Sequence, residues 1–288
     1  MLFLRHWPLR ATRLLFPMLA ATAFAGCAAL SSGSTATPGT DVPVARRITA
    51  LLPADALLLG EQHDAPEHHA IEREAVQALA ERGQLAALAL EMAEEGRSTA
   101  HVAASASEAQ VQAALDWNDK AWPWASYGPA VMAAVRAGVP VVGANLQRAH
   151  MKDAMADVSL DAQLNTKAYA AQQDAVREGH CQMLPESQIV PMTRIQVGRD
   201  RAMAQAVVKA RQPGKTVLLI AGAGHVVRTL GVPQHLPDDV KVVTVRMLAA
   251  PSLANVVVGE YDSTWQTPPL PEKDYCAELR RPAKASAQ

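Results

Sequence analysis

Histidines and carboxylates stand in two similar short segments of this chain, Gly60-Glu61-Gln62-His63 and Gly222-Ala223-Gly224-His225. Each closes an apolar run, Ala56-Leu57-Leu58-Leu59 in the first case and Val217-Leu218-Leu219-Ile220-Ala221 in the second. Two more runs end in polar groups: Ala89-Leu90 leads into Glu91 and Met92, and Gly143-Ala144 into Asn145, with Arg148 shortly after. Two imidazoles with one or two carboxylates can hold a divalent ion and leave a position open for water. Glu61, His63, Glu91 and His225 make up that set. The same groups can work without metal, as ligand holders or a general acid–base pair. Imidazole, tyrosinate and thioether also bind haem iron, so His63, His225, Tyr127 and Met92 are candidates for that role. Arg148 and Arg199 suit anionic groups such as haem propionates. Ordinary readings stand beside these: a strand-end histidine often bonds only a loop, Glu91 can cap a helix, and either arginine can form a surface ion pair.

The elements that must position these groups are legible in outline. Short apolar runs bounded by glycine read as buried strands of a parallel sheet. In such sheets ligands gather beyond the carboxyl ends of the strands. Strand character is found at 56–60, 86–92, 139–145, 216–222, 240–247 and 255–261. Helical patterns alternate with them. One starts at Asp64-Ala65-Pro66, with Asp64 as the capping side chain, keeps Ile71, Val76 and Leu79 near one side and stops at Gly83. Others cover a short stretch from Ser107, then 126–136 closed by Gly138, 161–178 stopped by Gly179, and 187–211 ending at Pro213-Gly214. The expected fold is α/β, a mainly parallel central sheet flanked by helices, with a helical insertion over 151–181.

Several other residues invite a function. His68 and His69 lie in a first helical turn, and His68 faces Glu72 four positions on, a spacing that reads as a solvated pair. Trp117, Trp122, Trp124 and Tyr127 cluster in a chain with only 4% aromatic residues. They read either as core anchors or as the wall of an apolar pocket, with Tyr127 as its polar handle. Gln196, Arg199 and Met203 share a helix face, while Asp200 reads as a surface partner. The chain has no Gly-x-Ser-x-Gly elbow, P-loop, His-Glu-x-x-His helix or Cys-x-x-Cys-His attachment site. Any haem would therefore be held non-covalently.

The first 27 residues read as an export signal: Arg5, Arg10 and Arg13 precede an apolar stretch from Leu14 to Phe24, and Ala25-Gly26-Cys27 follows in the manner of a bacterial lipobox. Cys27 would then carry lipid, with ordinary secretion to the periplasm as the alternative. Residues 28–45, rich in Ser, Thr, Gly and Pro, read as a flexible tether, 46–266 as the folded domain and 267–288 as a tail. A net charge of −1 argues against nucleic-acid binding. With Cys27 lipidated, Cys181 and Cys276 remain, and in an oxidising compartment they can pair. That bridge would stabilise by about 4–5 kcal/mol in the chain-entropy model.

In order along the chain stand Leu-Gly-Glu-Gln-His-Asp (59–64), Ala-Leu-Glu-Met (89–92), Trp-x-x-Tyr-x-Pro (124–129), Ala-Asn-Leu-x-Arg (144–148), Gly-His-Cys (179–181), Gln-x-x-Arg-Asp-x-x-Met-Ala (196–204), Ala-Gly-x-Gly-His-Val (221–226) and Gly-Val-Pro (231–233). This series resembles the ChaN family of haem-binding lipoproteins within the Tiki superfamily, from about Leu57 to Leu236. The resemblance implies an outer-membrane lipoprotein facing the periplasm. It would bind haem, as a homodimer with haem stacked between subunits, and work with an outer-membrane haem receptor in iron uptake. It also implies kinship with Tiki-type metal-dependent proteases, whose paired Gly-x-x-His segments and glutamate match Gly60/His63, Gly222/His225 and Glu91. A remoter likeness is to erythromycin esterases. The alternative function is thus a metal-dependent hydrolase using Mn, Co or Zn. Between Tyr127 and His63 as iron ligand the resemblance does not choose.

Overall fold

In the computed structural model, residues 42–250, 259–277 and 280 are described. The expected signal, Cys27 and most of the tether lie outside them. The chain runs α1 (Val44–Ala50), β1 (Ala56–Glu61), α2 (Pro66–Glu81), β2 (Leu85–Glu94), α3 (Glu108–Leu115), α4 (Trp124–Arg136), β3 (Val141–Asn145), α5 (Met151–Ala156), α6 (Thr166–Gly179), α7 (Glu186–Ala210), β4 (Thr216–Gly222), β5 (Val242–Ala249) and β6 (Ser263–Thr267). The six strands form one parallel sheet in the order β3-β2-β4-β1-β5-β6. The fold is therefore α/β, as the alternation of patterns predicts.

Strand alternation divides the core into two layers. Leu57, Leu59, Leu88, Leu90, Leu218 and Ile220 face α2 and α4, where they meet Val76, Leu79, Val131 and Val135. Ala56, Leu58, Ala86, Ala89, Leu219 and Ala221 face the other way, onto Met203, Ala204 and Val207 of α7. Burying each of the larger aliphatic side chains contributes about 1.5–3 kcal/mol. The alanines on the α7 side let that long helix lie close. The expected insertion is helical: Leu160, Leu164 and Ala168 pack on Val197 of α7.

Some local expectations change. Asp64 does not cap α2: the N-cap is Ala65, without a side-chain bond, and Asp64 pairs instead with Lys273 at 3.0 Å. The helix expected from 161 starts at Thr166, because Asn165 caps it and a 3-10 turn occupies Val158–Ala162. Of the strand expected at 255–261, residues 255–258 lie outside the described residues and 259–261 are turn and bend. The sixth strand is Ser263–Thr267. Helix α1, which no sequence pattern announced, opens at Val44. Cys181 and Cys276 form a disulfide. No helix among the described residues is long and apolar enough to cross a membrane.

Candidate functional site

Strands β1 and β4 are neighbours, and their register sets Gly60 opposite Ala221 and Glu61 opposite Gly222. The two Gly-x-x-His segments therefore leave the sheet side by side. Their glycines serve each other. A Cβ on Gly60 would lie 2.3 Å from Val226 Cγ2 and 2.9 Å from Ala223 Cα, in the turn of the second segment. A Cβ on Gly222 would lie 2.9 Å from His63 Nε2, in the first. At Gly60 the neighbour is the backbone of the second segment, which leaves no room for a side chain; at Gly222 it is the imidazole of His63.

Glu61 is buried (2% exposed) and its Oε1 accepts two hydrogen bonds at 2.8 Å, from Tyr127 Oη and His63 Nδ1. The bond fixes the His63 ring through Nδ1; Nε2 lies on the Gly222 side, and 41% of the side chain is exposed. Burial opposes charge on this ring, but the bond to Glu61 and the nearby Glu91 together raise its pKa. Tyr127 is 1% exposed, and burial with Glu61 pushes its phenol far above the ordinary value.

Glu91 sits inside β2, where the pairing to β3 shifts between Leu90 and Glu94. It caps no helix. Its Oε2 accepts the Gly222 N–H at 2.7 Å, while Asn145 Nδ2 donates to its backbone carbonyl at 2.9 Å. His225 Nε2 lies 3.5 Å from Glu91 Oε1, and its Nδ1 lies 2.6 Å from Asp200 Oδ1. Burial works against the imidazolium, yet the two carboxylates push its pKa up to about 10. Glu91 is held down to about 2: burial opposes this, and His225 outweighs it. Asp200, 1% exposed on α7, is raised to about 6 by burial. The expectation of a surface role for Asp200 is thus corrected.

Between these groups opens a cleft of about 390 Å³, bordered by His63, Glu91, Met92, Trp122, Asn145, Arg148, Gln196, Arg199 and His225. Arg199 brings a buried Nε with no hydrogen-bond partner among the described residues. Arg148 is exposed at the mouth. Met203, the third residue of that helix face, is buried in the core instead. Trp122 packs edge-on against His63, with ring centres 4.9 Å apart. Behind it, Trp117 packs on Trp124 at 5.1 Å and donates from Nε1 to the Trp122 carbonyl at 2.9 Å. The aromatic cluster is both core anchor and cleft wall. Tyr127 lies behind that wall, not in it.

His68 and Glu72 are fully buried, which overturns the solvated-pair reading. His68 accepts the Gln62 N–H at Nδ1 (2.9 Å) and meets Thr267 Oγ1 at Nε2 (3.0 Å). Burial lowers its pKa to about 4, so it is a neutral brace between the β1 turn and β6. His69 Nε2 lies 3.3 Å from Glu61 Oε2. Asp200 and Glu72 are the residues whose place the sequence reasoning missed, while His69, one of its lesser candidates, is brought to Glu61. A signal existed for both missed residues. Glu72 lies among Ile71, Ala75 and Val76 on the buried stripe of α2, and Asp200 lies between Val197 and Ala204 on that of α7.

Comparison with known proteins follows the same lines. Among structures, the fold is similar to one described as "Cofacial heme binding to ChaN of Campylobacter jejuni", at a TM-score of 0.65 and 24% identity over 76% of this chain and 89% of that one. A weaker likeness, at a TM-score of 0.47 and 16% identity over 81% of this chain and 96% of that one, is to the type III effector HopBA1. No curated protein matches. Residues 47–236 match the family described as "Haem-binding uptake, Tiki superfamily, ChaN". The chain belongs to this haem-binding ChaN family of the Tiki superfamily.

Proposed function

We propose that this chain binds haem in the cleft, with His63 Nε2 as the protein ligand to iron and Arg199 and Arg148 as partners of the propionates. The observation that carries this reading is the state of His63: Nδ1 is tied to Glu61, and the ring, 41% exposed, lines the cleft beside an aromatic wall. The cationic and aromatic lining fits a flat, apolar ring bearing two carboxylates. His225 is less suited, since both ring nitrogens face carboxylates. Met92 is buried in the cleft wall, and Tyr127 is committed to Glu61. Haem here is cargo whose iron is carried.

Family membership supports the further reading that the cargo serves iron uptake, from an outer-membrane lipoprotein anchored through Cys27 and working beside a haem receptor. It also supports a haem-linked homodimer, because an open cleft leaves one haem face uncovered. Haemin titration of the purified protein tests the core of this. A saturable Soret shift is expected, lost in His63→Ala and retained in Tyr127→Phe. No shift in the parent protein would sink the proposal.

A hydrolase reading rests on the Asp200–His225–Glu91 line, which ends in the cleft. It has less behind it, because a histidine held charged to about pH 10 is a poor general base at neutral pH. Peptide and ester hydrolysis that disappears in Glu91→Gln would support it.

A further inference from the structure

Behind the cleft, on the side of Glu61 away from His63, three side chains converge without satisfying one another. Glu61 Oε2, His69 Nε2 and both oxygens of Glu72 are buried and have no hydrogen-bond partner among the described residues. One donor atom from each residue lies within 4.8 Å of the other two, and His69 Nε2 is 3.3 Å from Glu61 Oε2. Four ligands at about 2.1 Å around a tetrahedral ion stand roughly 3.4 Å apart. A small inward movement would therefore close the set.

The local architecture explains the convergence. His69 and Glu72 are three apart on α2 and project together from one face, an i, i+3 pairing that bundle metal sites also use. Glu61 ends β1, against which α2 is packed. Glu72 is 0% exposed, and its strongest electrostatic neighbour is another carboxylate, Glu61. A buried carboxylate in that position is unfavourable unless something compensates it.

A proton shared by the two glutamates would compensate in part. It would join Glu61 Oε2 to one oxygen of Glu72, leave the other oxygen of Glu72 unsatisfied and leave His69 Nε2 only its long 3.3 Å approach to Glu61 Oε2. A divalent ion engages all three residues at once. One imidazole and two carboxylates are a donor set for a borderline cation such as Zn²⁺ or Mn²⁺.

We propose that Glu61, His69 and Glu72 form a buried divalent-cation site, distinct from the set of Glu61, His63, Glu91 and His225 that the sequence suggests. The ion would pin α2 to the end of β1 and hold Glu61, and through it His63, in place. It is a positioning site, since none of its three residues lines the cleft. The proposal stands whether or not the cleft takes haem.

The test uses the full chain, stripped with chelator and titrated with Zn²⁺ alone by calorimetry, with bound metal counted by mass spectrometry. One equivalent is expected. Glu72→Gln and His69→Gln should each weaken binding by at least about 100-fold, while His225→Gln leaves it unchanged. Zn²⁺ should raise the Tm of the parent and not that of Glu72→Gln. X-ray absorption of the zinc-loaded parent should show a single imidazole, a readout that needs no variant to fold. Absence of stoichiometric zinc, unchanged affinity in Glu72→Gln, or two imidazoles on the metal would each overturn the site.

Discussion

Asp200 Oδ1 lies 2.6 Å from His225 Nδ1, joining the middle of α7 to the turn that follows β4. Asp200 is buried, His225 is 13% exposed at the cleft, and its other ring nitrogen points to Glu91. The groups facing His225 are Asp200 and Glu91, with His63 across the turn and Arg199 beside Asp200. A histidine whose folded pKa is raised from 6.5 to about 10 contributes stability that is full below pH 6.5 and is lost as pH rises through about 10. The difference in unfolding free energy between the parent and His225→Gln should therefore be flat below pH 6.5 and shrink steadily toward pH 10. Urea titrations at four or five pH values measure it. A difference that grew with pH would contradict the buried imidazolium.

Asp200→Ala removes one partner of this buried pair and should destabilise by about 3–5 kcal/mol near neutral pH. A loss below 1 kcal/mol in urea unfolding would mean that the pair is not formed in solution.

Arg199 lines the cleft, so its contribution to haem binding should depend on the propionates. A charge-assisted bond contributes about 1.5–3 kcal/mol, and Arg199→Ala should weaken haemin binding by roughly 10–100-fold. The dimethyl ester of haemin should bind parent and variant alike. An equal loss for both ligands would point to packing rather than carboxylate recognition.

The paired glycines should separate stability from binding. Gly60→Ala drives a Cβ into Val226 and the Ala223 backbone, and should cost about 1–3 kcal/mol. Gly222→Ala meets the movable ring of His63 and should leave Tm nearly unchanged while weakening haemin binding. Thermal melts and Soret titrations of both variants give the comparison.

The Cys181–Cys276 bridge holds a tail in which Lys273 and Tyr275 reach Asp64, next to His63. Replacing both cysteines by serine should lower stability by about 2–4 kcal/mol. It should also raise hydrogen exchange at Gln62–Asp64. Unchanged exchange there would show that the tail clasps the turn without the bridge.

What the sequence made legible follows from how each element announces itself. β1, β2 and β4 are dense aliphatic runs ended by glycine or a charge, so their positions and the convergence of Glu61, His63, Glu91 and His225 could be read directly. β6 could not: Ser-Thr-Trp-Gln-Thr is a mostly polar edge strand, and its only large apolar residue is Trp265. Glu72 and Asp200 were hidden for the opposite reason. Each is a charged residue within an apolar helix stripe, and only the packed neighbours show that its partners are His69 with Glu61 or His225. His68 was misread because i, i+4 spacing describes a helix surface, whereas here that surface faces the core.

The place of β4 in the sheet has a consequence for the birth of the protein. β1 and β2 are not partners, because β4 lies between them. A nascent chain that has emerged only as far as β3 therefore lacks the strand that pairs with both, and the edge each offers to β4 is unpaired. The last of the four site strands to be synthesised is the one that fills this gap, and it brings Gly222 and His225 with it. A truncated or stalled chain would present His63 without its counterpart, exposed beside sticky strand edges. Completion of the candidate site and closure of the sheet are one event, because the strand that joins β1 to β2 is the one that ends in Gly222 and leads to His225.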